Sequence, residues 1–190
     1  MPFPDEVAAG SIHVWPYRPE WAVQGAELAR RLHELLPNAS AVEHIGSTSV
    51  PGMAAKDCLD MMVVVPDLQT SGAEPLLAAA GYRRRGEPWN NVEEAYGRRW
   101  PKLVFGPAAG ARAVNVHVRP EGSGSARLAL LFRDHLRAVP HRAATWSDFK
   151  MAAATHSPDL AAYGQLKLPA WRLLMELAED WATSTGWRPH

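Results

Sequence analysis

The amino-acid sequence predicts an α/β fold, a mixed β-sheet flanked by helices and followed by a C-terminal helical segment. Three observations carry that expectation. Residues 41–45 (AVEHI) and 58–65 (CLDMMVVV) are short runs of strand character, separated by a stretch rich in Gly, Ser and Pro that reads as a turn. Residues 19–36 place Trp21, Gly25, Leu28, Leu32, Leu35 and Leu36 at helical spacing, as a helix packed on a sheet requires. From residue 126 onward the chain reads as helix, over 126–138, 143–154 and 160–183.

In chain order, residues 1–10 read as a loose tail. Ser11–Trp15 alternates as a short edge strand that Pro16 ends. Pro19 suits the first turn of the next helix, where its missing N–H does no harm, and Trp21 is its expected core anchor. Residues 71–80 form a small-residue helix with Gly81 as C-cap. The polar stretch 82–96, with Trp89, Asn90, Asn91, Glu93 and Glu94, reads as a hairpin tip or a loop at the mouth of a site. Strands at 99–105 and 112–118 then form a hairpin, and 120–125 reads as a Gly/Ser-rich linker. Pro169 offers a break point in the last helix.

With 190 residues, 47% of them hydrophobic, the chain is long enough for one domain, 1–190, with an α/β core over 12–122 and C-terminal helices over 125–184. Twenty Lys and Arg balance twenty Asp and Glu, so no large net field recruits nucleic acid or an anionic membrane, although a local basic groove stays open. Cys58 is the sole cysteine, which excludes an internal disulfide and fits a reducing compartment. The N-terminal residues carry early acids and no apolar run of signal-peptide length. No segment reaches the length of a membrane span, and the expected location is the cytoplasm.

The chemistry concentrates between Val42 and Val65. Gly46 and Ser47 at the mouth of a strand leave backbone N–H groups and a hydroxyl for an anion, with Thr48 next to them, and this is phosphate-binding chemistry. Asp60 interrupts an apolar strand, where a carboxylate is costly unless it holds a metal or a hydrogen-bond donor. Lys56 lies between the two. Arg133 and Arg137, at i and i+4 on one helix, are able to meet one phosphate or carboxylate, and Arg99, Lys102, Lys150 and Lys167 are available to complete a basic pocket. Taken singly, each of these cations reads more readily as a solvated surface charge than as a ligand contact. Glu43 faces away from His44 and reads as structural or solvated, Asp57 as a turn cap, and Tyr163 with Lys167 as a packed pair.

These words in this order resemble the GrpB family of small bacterial proteins, a branch of the polymerase-beta-like nucleotidyltransferase fold. The resemblance runs from His44-Ile-Gly-Ser-Thr-Ser-Val-Pro-Gly52 through Ala55-Lys56 and Leu59-Asp60 to Asn115-Val116-His117-Val118. It continues through Phe132-Arg133-Asp134-His135-Leu136-Arg137 to Tyr163 and Lys167, covering roughly residues 12 to 180. It implies a Gly-Ser turn that holds a triphosphate, and a pair of acids two positions apart on the next strand that holds a divalent metal. Here the pair is Asp60 and Met62, and Met62 does not ligate magnesium. The position matching a third carboxylate is His117, which zinc, manganese or iron tolerate better than magnesium does.

The resemblance thus implies a protein that binds a nucleoside triphosphate or another phosphorylated small molecule, with magnesium or manganese, or zinc if the histidines ligate, and possible nucleotidyl transfer. Domains of this kind fused to dephospho-CoA kinase imply an alternative, a non-catalytic nucleotide- or coenzyme-binding module. A third reading keeps the pocket and changes the reaction, with His44, Asp60 and His117 converging as a small-molecule enzyme's metal or acid–base site. Against it stands a structural role in which a histidine merely satisfies Asp60.

Overall fold

The computed structural model describes residues 12–108 and 110–189. Helix α1 (Glu20–Leu35) opens directly after Pro19 and buries Trp21, Gly25 and Leu32. Strand β1 (Ala41–Ile45) leads into a single 3-10 turn at Ser47–Ser49, and β2 (Leu59–Val65) follows. Helix α2 (Ala73–Ala79) ends before Gly81, whose φ of +85° is the left-handed geometry expected of a glycine after a helix. The expected edge strand at 11–15 reduces to one bridge, in which Trp15 exchanges both backbone bonds with Ala55. Ser11 and the 1–10 tail lie outside the described residues.

The polar stretch after residue 81 holds more regular structure than expected, with β3 (Arg83–Arg84), a 3-10 turn at Pro88–Asn90 and β4 (Val92–Ala95). The expected strand 99–105 is two strands. β5 (Arg98–Pro101) pairs with β4 as a separate two-stranded ribbon, while β6 (Leu103–Gly106) joins the main sheet beside β7 (Val114–Pro120). The switch falls at Pro101-Lys102. Proline has no N–H to donate, and the Lys102 N–H turns back to the Asn91 carbonyl.

The main sheet runs β1-β2-β7-β6-β3, with β2 and β7 parallel and every other pair antiparallel, which is the mixed sheet expected. One face buries Met61, Val63, Val116, Val118 and Phe105 against Trp21, Leu32 and Leu36 of the α1 region and Leu77 of α2. On the other face Ile45 and Met62 pack against Ala126 and Leu130 of α3 (Gly124–Ala138). That helix begins inside the stretch read as a linker, because the Ser123 hydroxyl accepts the Ala126 N–H and caps its first turn.

Helices α4 (Pro140–His156) and α5 (Leu160–Thr185) close a second apolar cluster, with Val50 and Met53 of the β1–β2 loop packed among Leu131, Trp146, Leu174 and Met175. Helix α5 runs unbroken through Pro169. Asp159 caps its start, and burial of Tyr163 before the proline and of Leu174 and Met175 after it holds both flanking turns. Among the described residues no helix is long and apolar enough to cross a membrane.

Candidate functional site

The β1–β2 loop is pinned from both sides. Gly46 adopts φ +70° and ψ −169°, a backbone region that a side chain disfavours strongly. A Cβ there would lie 2.6 Å from Asp60 Oδ2, so the glycine also lets the carboxylate approach the turn. Of the three hydroxyls that follow, Ser49 donates to the Gly46 carbonyl at 2.7 Å and Thr48 meets His44 Nε2 at 2.9 Å. The Ser47 hydroxyl alone turns toward α4, where Lys150 Nζ donates to it at 2.9 Å and also donates to the Ala54 carbonyl.

Lys150 is 2% exposed and carries no carboxylate partner in its hydrogen bonds. Burial, with the nearby Lys167 charge, brings its amine down to about 7. Lys167, whose Nζ sits 4.9 Å above the Tyr163 ring as the packed-pair reading expected, is brought down to about 8 by burial and by the Lys56 charge, against the opposing pull of Asp60. Lys150 thus sits at the turn, the Lys167 charge acts on it, and the Lys56 charge acts in its turn on Lys167. Lys150 was only a minor candidate from the sequence. The signal available was a lysine set between Phe149 and Met151 in the second half of a helix, and its partner lies 103 residues away.

Asp60 and His117 come together as expected. Asp60 Oδ1 accepts from Asn115 Nδ2 at 2.9 Å and lies 3.7 Å from His117 Nε2. Burial pushes the Asp60 carboxyl up, but the nearby His117, the Asn115 hydrogen bond and the Lys56 charge outweigh it, so the group stays an anion at neutral pH. For His117 burial outweighs the pull of the nearby Asp60 and holds the imidazole below its usual value, and its Nδ1 is buried with no hydrogen-bond partner. We take the pair as carboxylate and neutral imidazole. Asn115 was missed as a site residue. It was legible in the Asn115-Val116-His117-Val118 word, because residues two apart on a strand share a face.

His44 does not join this pair. Partners across a ladder share a face, and the register sets His44 opposite Met61 but Ile45 opposite Asp60. The imidazole therefore packs toward α1, in space that Gly25 leaves open: a Cβ on Gly25 would come within 2.1 Å of its Nδ1. Burial takes its pKa down to about 4. Thr48, bonded to His44, is likewise turned from the Ser47 hydroxyl toward the α1 side.

The arginines serve the frame. Arg133 donates to Glu43 at 2.5 Å and to Asp134 at 2.7 Å, which accounts for Glu43, and Arg137 donates twice to the Ser49 carbonyl. Both tie α3 to β1 and its loop rather than meeting at one shared anion. Asp57 accepts the Trp21 indole N–H at 2.7 Å and pairs with Arg18 and Arg112, anchoring α1 instead of capping a turn. Arg99 is exposed on β5. Burial and the Asp60 charge push the Cys58 thiol up to about 12, which leaves it no role as a nucleophile near neutral pH.

The donor set does not fit a two-metal centre. Met62, at the second acid position, is fully buried among Ile45, Ala126 and Leu130, and no group of three or more His, Cys, Asp or Glu placed to hold a metal occurs among the described residues. A cleft of about 450 Å³ at the far end of the sheet, lined by Ala39, Ser40, Pro66 and Asp67 among others, contains none of the candidate residues.

A mixed sheet with a Gly-Ser turn set against a strand-borne aspartate defines a protein of the nucleotidyltransferase fold. Cid1 poly(U) polymerase with MgGTP bound superposes with a TM-score of 0.52 over 80% of this chain and 50% of its own, and at 14% identity this is a likeness of fold alone. Within that class the chain belongs to the GrpB family, described as GrpB protein, which matches residues 11–176. The crystal structure of GrpB from Enterococcus faecalis superposes with a TM-score of 0.72 at 27% identity, over 93% of this chain and all of that one. A UPF0157 protein of Streptomyces coelicolor is 40% identical over 139 residues, 72% of this chain and 67% of its own. A dephospho-CoA kinase of Mycolicibacterium paratuberculosis is 34% identical over 204 residues, covering 97% of this chain. The chain spans 50% of that kinase's length.

Proposed function

We propose that this chain binds a phosphorylated small molecule, a nucleoside triphosphate in the first instance, through the Gly46–Ser47 turn. The observation that carries this reading is the buried Lys150 amine bonded to the Ser47 hydroxyl, on which the Lys167 charge also acts. Cations gathered without matching carboxylates are stabilised by a polyanion, which also returns the protons that burial weakens. The half-length match to dephospho-CoA kinases makes dephospho-coenzyme A a second test ligand.

Thermal melting against ATP and dephospho-coenzyme A, each with and without magnesium, tests the reading, since a ligand that binds only the folded state raises Tm. Ser47→Ala removes one neutral hydrogen bond and is expected to weaken binding by about three- to tenfold. A wild-type protein whose Tm none of these ligands raises, or a Ser47→Ala protein that binds as tightly as wild type, overturns it.

A second reading rests on the Asp60–His117 pair. A carboxylate beside a neutral imidazole with a free buried nitrogen is equipped to move a proton near pH 7. Any conversion of bound ATP, followed by chromatography, is then expected to disappear in both Asp60→Asn and His117→Ala and to persist without magnesium. Undiminished turnover in either variant removes that residue from the chemistry.

A further inference from the structure

Two residues beyond His117, on the same face of β7, Arg119 is 3% exposed. Its Nη2 and Nε both donate to one oxygen of Glu93, at 2.8 and 3.2 Å, and its Nη1 is buried with no hydrogen-bond partner. Lys102, itself almost fully buried, reaches the same Glu93 oxygen at 3.5 Å. One carboxylate oxygen therefore serves two buried cations and leaves a guanidinium edge unsatisfied. An unpaired buried donor of this kind is costly, and a forked guanidinium is shaped to take two oxygens of one oxyanion.

The counter-ion comes from an unusual place. Glu93 belongs to β4 in the two-stranded ribbon, which makes no ladder with the main sheet, and its side chain is 35% exposed. The cluster also adjoins the centre already described, because the charges of Arg119, Lys102 and Glu93 all act on the His117–Asp60 pair.

We propose that Arg119 and Lys102 form a second oxyanion site, separate from the Ser47 turn, that takes the carboxylate or phosphate group of a small acceptor molecule and for which Glu93 stands in when no ligand is bound. The assignment to an acceptor rests on the reading that the Ser47 turn holds the donor phosphates. Anion binding at Arg119 does not depend on it.

Calorimetric titration of succinate and of inorganic phosphate into the full chain, with ATP titrated separately, tests the site. Glu93→Gln, which keeps the shape and removes the competing charge, is expected to bind one of the two small anions at least about tenfold more tightly than wild type, with ATP affinity unchanged. The double variant Glu93→Gln/Arg119→Met is expected to lose that gain. Preference for succinate assigns a carboxylate, and preference for phosphate a phosphate monoester. No gain in Glu93→Gln, or a gain that survives in the double variant, overturns the site.

Should Glu93→Gln fail to fold, the wild-type protein answers by nuclear magnetic resonance. Saturating succinate or phosphate is expected to shift the Arg119 Nε–Hε resonance, and an unmoved resonance with both overturns the proposal. Wild-type protein that binds a small anion at Arg119 but no ATP overturns the turn reading while supporting this site.

Discussion

Gly46→Ala is expected to lower the melting temperature and to abolish nucleotide binding in the same protein. Position 46 combines a backbone conformation that only glycine adopts readily with a Cβ position 2.6 Å from Asp60 Oδ2 and 3.1 Å from Asp60 Cβ. Asp60 is not free to withdraw, because Asn115 holds its Oδ1 at 2.9 Å and its strand is paired on both edges. The backbone strain alone costs about 1–3 kcal/mol, before any steric overlap. For a chain of this size each kcal/mol moves Tm by roughly 2–4 °C. Calorimetric melting and ATP titration on one sample check both effects. An alanine variant with wild-type Tm and wild-type affinity would falsify the account of the turn.

The second large effect belongs to Lys150→Met. Methionine fills a similar volume but has no donor for the Ser47 hydroxyl or the Ala54 carbonyl. Loss of a hydrogen bond from a charged donor is worth about 1.5–3 kcal/mol, so ATP affinity is expected to fall by on the order of ten- to a hundredfold. The amine also predicts how stability depends on pH. Lys150 titrates at about 7 in the folded protein against 10.5 ordinarily, so between those values the unfolded chain binds more protons than the folded one. Stability therefore rises with pH across that window and is flat in this respect below it. Lys167 adds to the same slope from about 8 upward. In Lys150→Met the rise between pH 7 and 8 is expected to flatten, as denaturant unfolding at a series of pH values measures. Binding has the opposite sign: a polyanion restores the amine's proton, so ATP binding at pH 8 is expected to take up protons in wild type and fewer in Lys150→Met. Equal proton uptake in both would detach Lys150 from the ligand.

The departure at Met62 gains its meaning from packing. In the sequence a methionine two residues after Asp60 is only the absence of an acid. In the fold it is a fully buried part of the contact between the sheet and α3, so a carboxylate placed there would enter an apolar cluster with His117, its ladder partner on β7, as the nearest polar neighbour across the strand pair. Restoring the acid alone thus does not rebuild a metal centre.

Local chemistry fixed in advance what has a short range. The strands 41–45 and 58–65, the helix after Pro19 and the Gly46–Ser47 turn were legible, because each rests on periodicity or on glycine's backbone freedom, whereas the pairing of Asp60 with His117, on strands distant in sequence, was expected from the family resemblance alone. The face on which His44 emerges was not legible. Alternation places His44 opposite Glu43, but only the register against β2 decides which of the two shares a side with Asp60, and register is a contact between distant segments. The same holds for the charges. Nothing local distinguishes Arg133, consumed by Glu43 and Asp134, from Lys150, which crosses 103 residues to reach Ser47, or Arg119, which shares Glu93 with Lys102. A basic side chain becomes structural or available for a ligand according to its burial and to the partners that reach it, and both are set only when helices and ribbon close over the sheet.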